Sequence, residues 1–488
     1  SIFPETPVND VKRVFQFFLF FMVFLATLAI PSLRLAFADQ LSRVAKFPGL
    51  LIVLLFVLGI TSSVVNSESM RGLVYSLVDV GILGLLFVLA LIVAACREKA
   101  GPDFDRNVIS LIVFLGLAVG LQELAGFWAA RSAGTAYNFD LALIYFSFPR
   151  MYNQLQTWTI PVLAALPFIF PRNRLAILLC IFTLGLHWYI LLATGARGSI
   201  VSLLAAFTIA SLLSPVARKV IIKWQTPGLV LGVLLYAGLF AITEIDTDRM
   251  SPSADSAAVS EQDANDGYAG DIATMKQAKP NRFLEKSFGR PMLHTTGRSS
   301  LWKQSIAYAK ENPMLGIGPM NFACKGRVGR VSSPHNLGFQ ILSEWGIPAA
   351  IVLAVLGISL VWYLFKSMKQ AGNDESTVNV MRVMIVTAVV AALVHLSVSN
   401  LLLTPASQVA AALVAGWLLG ISPRKGQKTK SRFSLRLLLS AILCSVMLLP
   451  FTYQEMARMP VYTDRLHPIE GGLPRLWQLG KACKKELD

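Results

Sequence analysis

The amino-acid sequence predicts an all-α polytopic membrane protein with about 12 transmembrane helices, and three features support this fold class. Of the 488 residues, 55% are hydrophobic and only 15% are charged. The mean hydropathy of the chain is +0.59. The apolar residues form long runs, such as VGILGLLFVLALIVAA from Val80, which together with their flanks cross roughly 30 Å of hydrocarbon as helices.

The apolar runs divide the chain into four regions. We predict N-terminal transmembrane helices over 1–243, an outward loop region over 244–345, C-terminal transmembrane helices over 346–452 and a short tail over 453–488. The predicted spans lie at about 14–33, 47–66, 73–96, 107–128, 155–171, 174–194, 198–214, 227–243, 346–366, 380–398, 400–421 and 434–452.

Basic residues assign the two sides of the membrane. The short loops that contain Arg43, Arg172 and Lys366 are basic, and the positive-inside rule predicts that they face the cytoplasm. The outward loop region then lies on the other side. Because the net charge of +16 comes largely from such loops, we expect membrane lipids as its partners and no nucleic acid.

The outward loop region has two parts of opposite character. Residues 243–271 are acidic and poor in aromatic residues, which is typical of a mobile insertion. The stretch GRSSLWKQSIAYAKENP predicts an amphipathic helix at the membrane surface, capped by Ser299 or Ser300 and ending before Pro313.

A single histidine in SSPHNLGFQILSEWG is the candidate general base. Ser333-Pro334 is typical of a helix start, which predicts that His335 lies in the first turn on the outer side. The helix dipole there disfavours imidazolium, so a neutral ring can accept a proton from a hydroxyl. The alternative is a polar cap at the water interface, with no chemical role.

Three arginines are predicted on the same side as this histidine. Arg197 lies in the turn TGARGS, Arg298 precedes the amphipathic helix, and Arg150 enters the fifth span from outside. Each alone is typical of a headgroup anchor. Together they indicate an anion site, because a guanidinium stays charged and binds two phosphate oxygens at once. A lipid diphosphate held in this way is a good leaving group without a metal ion.

Amide side chains near these groups are candidates for orienting the substrate. Asn153 and Gln154 follow the third of the arginines in FPRMYNQLQTW, and Asn336 follows the histidine. These three residues complete the predicted substrate-binding set.

Several of these motifs resemble the signature of the O-antigen ligase and polymerase superfamily, which includes protein O-oligosaccharyltransferases. The motifs are ARGS, FPRMYNQLQTW and TGRSSLW…NPMLGIG…SPHNLGFQILSEWGIPAA. The resemblance implies a glycosyltransferase of the GT-C type in the bacterial inner membrane, with its active site facing the periplasm. It also implies an undecaprenyl-diphosphate-linked glycan as donor and an inverting reaction without a metal or other cofactor. Arg197 and Arg298 match the arginines that hold the diphosphate, and His335 matches the base.

The acceptor and the class of activity stay open at the level of sequence. The ligase reading makes the lipid A core the acceptor, whereas a polymerase would use another glycan and a protein O-oligosaccharyltransferase a protein hydroxyl. A flippase or exporter of lipid-linked glycans is the alternative from another class. It predicts basic residues spread through the depth of the membrane, whereas these residues cluster on one side.

Other ionisable residues have weaker claims to a function. The acidic pairs in DFD, at 103–105, and DTD, at 246–248, match a metal-binding pattern of sugar transferases but occur often by chance. Asp79 and Glu123 lie within predicted spans, where acids are either functional or structural. His187 and His395 also lie within spans and are expected to be packing groups.

Overall fold

The structure, a computed structural model, describes residues 8–44, 46–133, 143, 146, 149–250, 298–322, 331–421 and 432–465. All the regular secondary structure in these ranges is helical. The helices are α1 (Val8–Ala29), α2 (Pro31–Ser42), α3 (Lys46–Val65), α4 (Met70–Ala100), α5 (Pro102–Ser132), α6 (Pro149–Leu163), α7 (Leu166–Ile169), α8 (Arg174–Ala193), α9 (Arg197–Leu213), α10 (Pro215–Val220), α11 (Thr226–Met250), α12 (Arg298–Glu311), α13 (Leu337–Trp345), α14 (Ile347–Gln370), α15 (Thr377–Leu396), α16 (Pro405–Ile421) and α17 (Arg432–Arg465).

The prediction of a polytopic all-α membrane protein is confirmed. Within the described part of the chain, nine helical segments are long and apolar enough to cross a membrane, and α9 and α16 are shorter apolar helices. One of the nine is α10 joined to α11 through the π-helical turn Ile221–Gln225. The predicted fifth span is instead broken into α6 and α7, and α6 carries Pro161 in its interior. Proline removes a backbone donor and bends the helix there.

Several helix boundaries differ from those that hydropathy predicts, and α17 continues to Arg465, beyond the predicted start of the tail at 453. Pro31, which lies inside the first predicted span, begins the separate helix α2, because the fixed φ of proline suits the first helical position. Helix α11 continues to Met250, beyond the predicted start of the outward loop at 244. The acidic insertion from 251 onward lies outside the described residues.

Glycines allow the closest helix pairs of the bundle to form. A Cβ built on Gly232 of α11 would lie 2.9 Å from the carbonyl oxygen of Gly185 in α8. A Cβ on Gly420 of α16 would lie 2.8 Å from the carbonyl oxygen of Ala94 in α4. Any side chain would therefore separate these backbones, which is the usual reason for small residues between membrane helices.

One end of the bundle is basic and is held by ion pairs. Arg97, at the end of α4, bonds to Asp105 of α5 over 2.7 Å, and Trp417 Nε1 donates to the same carboxylate oxygen over 2.6 Å. Asp103 pairs with Arg106 on the surface. Since both acids of DFD already have these protein partners, a structural role accounts for that motif.

The opposite end of the bundle carries the candidate site. Helices α6, α9, α14 and α16 begin there, and α3, α8 and α15 end there, as the contacts among their terminal residues show. Helix α12 and the turn after it pack on this end, where the Ser62 hydroxyl donates to the carbonyl oxygens of Leu315 and Glu344. Residues that are far apart in the sequence therefore meet at this one rim.

Candidate functional site

The segment around His335 is an irregular loop rather than the first turn of a helix. His335 has a φ of +54°, a left-handed conformation, and α13 begins two residues later at Leu337. The N-cap is Asn336, whose Oδ1 accepts a hydrogen bond from Phe339 N over 3.0 Å. The predicted helix start at Ser333-Pro334 is therefore wrong. Left-handed backbone is uncommon in non-glycine residues and occurs preferentially at functional sites.

Neighbouring groups hold this loop in place on two sides. Trp302 of α12 donates through Nε1 to the carbonyl oxygen of Pro334 over 3.1 Å, and its ring stacks on Phe339 at 5.4 Å between centroids. On the other side, the Asn400 amide nitrogen lies 3.2 Å from His335 Nδ1 and hydrogen-bonds to Ser333 Oγ. The imidazole is half-buried between these groups.

Two of the predicted arginines lie close enough to this imidazole to interact with it electrostatically. Burial lowers the pKa of His335 below its ordinary value of 6.5, and the charges of Arg298 and then Arg150 lower it further. The pKa of Arg298 is itself lowered, first by burial and then by the charge of Arg150. The two guanidinium charges therefore lie close to each other and to the imidazole. A bound anion would reduce the repulsion between them.

Arg197 lies at the same rim, as the contacts of the residues next to it in the sequence show. It is the first residue of α9 and lies two residues after Gly195, whose φ of +59° makes the turn. The next residue, Gly198, faces His395: a Cβ built there would lie 3.5 Å from the imidazole Nε2. Ser199 then donates to the carbonyl oxygen of Asn153 in α6 over 3.2 Å. The start of α9 therefore lies between α6 and the end of α15.

The four candidate residues all lie at or just before the N-terminus of a helix. Arg150, Arg197 and Arg298 lie within the first two residues of α6, α9 and α12, and His335 lies two residues before α13. The unpaired N–H groups of a helix N-terminus carry a partial positive charge and favour anions. The site therefore combines guanidinium charge with several helix N-termini.

The predicted substrate-binding amides are engaged with the protein. Asn153 Nδ2 donates to Thr194 Oγ1 over 3.0 Å. Gln154 Nε2 donates to the backbone oxygen of Asn400 over 3.3 Å. Asn336 Nδ2 donates to the backbone oxygen of Ser397 over 2.7 Å, besides capping α13. All three hold loops around the site, so positioning accounts for their contacts.

Sequence reasoning missed one polar residue of the site. Asn400 lies in the irregular segment between α15 and α16, whereas hydropathy made it the first residue of a span. It lies 65 positions from its partner His335. The only local signal is the polar SVSN between two apolar runs, ahead of the Pro405 that begins α16.

The ionisable residues within helices have distinct surroundings. Asp79 lines a small cavity of about 40 Å³ together with Gln340 and Asn400, and so lies near the site. Glu123 is fully buried and interacts electrostatically with Tyr152 and Tyr189.

The two histidines of the spans have protein partners. His187 is bonded by Gln156, whose Nε2 lies 3.1 Å from its Nδ1, as expected of a packing group. His395 is bonded by Thr157 Oγ1 over 2.9 Å, yet it lies at the rim beside Gly198.

The described residues contain no group of three or more His, Cys, Asp or Glu side chains that could hold a metal ion. The side chains of Asp246 and Asp248 lie outside this description.

Comparison with protein families finds a match within this chain. Residues 178–354 match the family model described as O-antigen ligase, and the match spans Arg197, Arg298 and His335. Arg150 and Asn400 lie outside it. No curated protein matches the chain. The family match confirms the resemblance to the O-antigen ligase superfamily that the sequence motifs indicate, and it supports a membrane glycosyltransferase of the ligase or polymerase type.

Proposed function

We propose that this chain, which carries the O-antigen ligase domain, transfers an undecaprenyl-diphosphate-linked glycan en bloc to an acceptor hydroxyl. We propose the lipid A core as the acceptor and the periplasmic side of the bacterial inner membrane as the place of transfer. The family match supports the class of activity. The charge pattern supports the periplasmic side. The end of the bundle away from the candidate site carries the basic loops, among them those of Arg43 and Arg172, and basic loops are typical of the cytoplasmic side.

One observation carries the proposal: two arginines at helix N-termini lie close enough to a half-buried imidazole for their charges to lower its pKa. Arg298 and Arg150 both lower the pKa of His335, which requires that their charges lie close to the ring. A site built only to anchor lipid headgroups needs the charges but not the histidine. The combination matches a reaction in which a diphosphate departs while a hydroxyl loses its proton.

In the proposed reaction these residues bind the diphosphate, stabilise its charge as it leaves and accept the proton of the acceptor. Arg150, Arg197 and Arg298 bind the diphosphate and stabilise the negative charge that develops as it leaves. His335 takes the proton of the acceptor hydroxyl. The hydroxyl oxygen then forms a bond to the anomeric carbon, and the bond between that carbon and the diphosphate oxygen breaks, so that undecaprenyl diphosphate leaves with the electron pair. A single displacement of this kind inverts the anomeric configuration.

We further propose that the reaction needs no metal ion. In many sugar transferases a divalent cation neutralises the leaving diphosphate. The guanidinium groups and helix N-termini at this site support the proposal that the protein itself supplies that positive charge. Transfer should therefore proceed at an undiminished rate in EDTA, and a rate that falls in EDTA and returns with magnesium or manganese would contradict this part of the proposal.

The test is a transfer assay with the full-length protein in lipid nanodiscs. The donor is a synthetic undecaprenyl-diphosphate oligosaccharide, the acceptors are lipid A core, carrier-linked glycan and a serine-containing peptide, and mass spectrometry identifies the product. We expect a glycosylated lipid A core from the wild type, none from His335→Asn and about 10²–10³-fold less from Arg298→Ala. The matched control is Arg106→Ala, an exposed arginine at the opposite end of the bundle, which should transfer at the wild-type rate.

The remaining outcomes each contradict a stated part of the proposal. Product on the carrier-linked glycan or the peptide, with none on lipid A core, would replace the ligase assignment by that of a polymerase or a protein oligosaccharyltransferase. Movement of the donor between leaflets without a new glycosidic bond would replace the enzyme by a transporter.

A further inference from the structure

We infer that Asn400 is a positioning residue for His335: its amide oxygen accepts the Nδ1–H of the imidazole and leaves Nε2 to take the proton of the acceptor. This inference rests on the proposed function, since it assigns a role in the reaction of the same site. It stands on the contact between the loop after α15 and the loop before α13.

The side-chain amide of Asn400 contacts two other side chains, those of His335 and Ser333. The amide nitrogen of Asn400, Nδ2, lies 3.2 Å from His335 Nδ1 and also donates to Ser333 Oγ, which is fully buried. An amide that faces the imidazole with its nitrogen is a donor, so Nδ1 must be unprotonated and the proton must lie on Nε2. A half-turn of the amide presents its oxygen, which accepts from Nδ1–H and from the Ser333 hydroxyl together.

Only the second arrangement gives a base that points away from Asn400. With the proton on Nδ1, the lone pair of Nε2 is free to accept the acceptor's proton. A serine hydroxyl serves equally well as donor or acceptor, so Ser333 remains bonded in both arrangements. The catalytic requirement therefore selects the amide oxygen, and the hydrogen bond fixes both the tautomer and the direction of the ring.

The segment that carries Asn400 is pinned by three different helices. Gln154 of α6 donates to the backbone oxygen of Asn400 over 3.3 Å, and Gln408 of α16 donates to that of Leu402 over 2.7 Å. Arg13 of α1, which is buried, donates to the backbone oxygen of Leu403 over 2.6 Å. Consecutive bonds of this kind limit the movement of the segment, so the amide is held in place before substrate binds.

The charge of the surroundings explains why an amide suits this position better than a carboxylate. Arg298 and Arg150 face the imidazole from α12 and α6, and His395 lies nearby at the end of α15, within reach of the Arg298 charge. A carboxylate here would attract these guanidinium groups and offset the positive charge that the diphosphate needs. An amide fixes the tautomer without adding charge.

The experiment measures transfer by Asn400→Ala and Asn400→Asp as a function of pH and donor concentration. We expect Asn400→Ala to lower kcat by about 10-fold or more, with the full contribution of general base catalysis, about 10²–10⁴-fold, as the upper limit. Its KM for the donor should change little, because the guanidinium groups remain. The matched controls are Asn107→Ala and Asn107→Asp, at an exposed position near the start of α5 and at the opposite end of the bundle, which should match the wild type.

The aspartate variant gives a signature that a structural role would not produce. Its carboxylate still accepts from Nδ1–H but also stabilises imidazolium, so transfer should be faster than in Asn400→Ala and its acid limb should move to higher pH. The donor KM should rise, because the added negative charge opposes the diphosphate. An acid limb unchanged from the wild type would overturn the inference, and so would an Asn400→Ala rate within twofold of wild type at every pH.

The failure of this inference and that of the proposed function give different results. An inactive wild type contradicts the proposed function. An active wild type with an inactive His335→Asn variant, together with a fully active Asn400→Ala variant, contradicts only the role of Asn400. Should the alanine variant fail to fold in detergent, the acid limb of Asn400→Asp alone decides the matter.

Discussion

The left-handed backbone of His335 allows stability and activity to be separated at one position. With a φ of +54°, this residue has a conformation in which a Cβ crowds the following carbonyl oxygen. Replacing it by glycine removes the Cβ, whereas replacing it by alanine keeps the Cβ and removes the ring. Both variants lose the imidazole and its contact with Asn400, so the difference between them reports on the backbone alone.

The size of that difference follows from two opposing effects. Left-handed backbone costs a residue with a Cβ roughly 1–2 kcal/mol. Glycine is more disordered in the unfolded chain, which costs it roughly 0.4–1 kcal/mol relative to alanine. The free energy of unfolding of His335→Gly should therefore exceed that of His335→Ala by about 0.5–1 kcal/mol. His335→Asn should lie nearer to glycine, because asparagine adopts this conformation readily.

The assay is equilibrium unfolding in mixed micelles of a mild detergent and SDS, followed by the transfer assay on the same three preparations. All three variants should be inactive, because none has a side chain that accepts a proton near neutral pH. An alanine variant as stable as the glycine variant, or more stable, would show that the folded chain does not hold residue 335 in a left-handed conformation. Transfer by any of the three would remove His335 as the base.

The remaining predictions concern charge, pH and packing. Arg298→Ala should lower transfer by about 10²–10³-fold, as loss of one group that stabilises transition-state charge does, and Arg298→Lys should recover only part because its ammonium cannot bind two oxygens at once. Wild-type turnover by the alanine variant would exclude this arginine from the site. The value of kcat/KM, which reports the donor-free protein, should fall on acidification only below about pH 6.5, because burial and then the charges of Arg298 and Arg150 lower the pKa of His335, and the base fails once the ring is protonated. Arg150→Gln should shift that loss to higher pH, and a rate–pH profile that did not move would contradict the electrostatic contact. Gly346→Ala should lower the free energy of unfolding by about 1–3 kcal/mol, because φ is +91° there and a Cβ would lie 2.5 Å from the Met314 carbonyl oxygen. The control Gly357→Ala, where a Cβ meets nothing within 4 Å, should unfold at the wild-type denaturant concentration or above it.

The membrane-spanning part of the fold could be predicted because its signal is local. A run of about 20 apolar residues spans the hydrocarbon whatever it packs against, so hydropathy located α3, α4, α8 and α14 to within a few residues. Hydropathy could not predict that α6 ends at Leu163 or that α11 continues to Met250, because the ends of helices depend on packing and capping.

The site could be predicted only in part, for a related reason. The side of the membrane and the residue types followed from charge patterning and from the need of a diphosphate for guanidinium groups. The conformation of His335 could not be predicted in this way, because Ser333-Pro334 and Asn336 are both acceptable helix starts in isolation. Tertiary contacts favour the helix start at Asn336. Trp302 donates a hydrogen bond to the carbonyl oxygen of Pro334, and Asn336 donates one to the backbone oxygen of Ser397. The contact of Asn400 with His335 joins two loops far apart in the chain, and no local pattern encodes such a pair.

The placement of the charges also suggests how donor binding and proton transfer are coupled under the proposed function. Without donor, Arg298 and Arg150 disfavour a proton on His335, so the ring stays neutral and ready to accept one. A bound diphosphate offsets that positive charge, and the same ring then becomes a stronger base. The imidazole therefore gains basicity when the leaving group is in place and the acceptor hydroxyl has an anomeric carbon to attack. A neutral amide at Asn400 preserves this coupling, whereas a carboxylate there would make the ring basic whether or not the donor is bound.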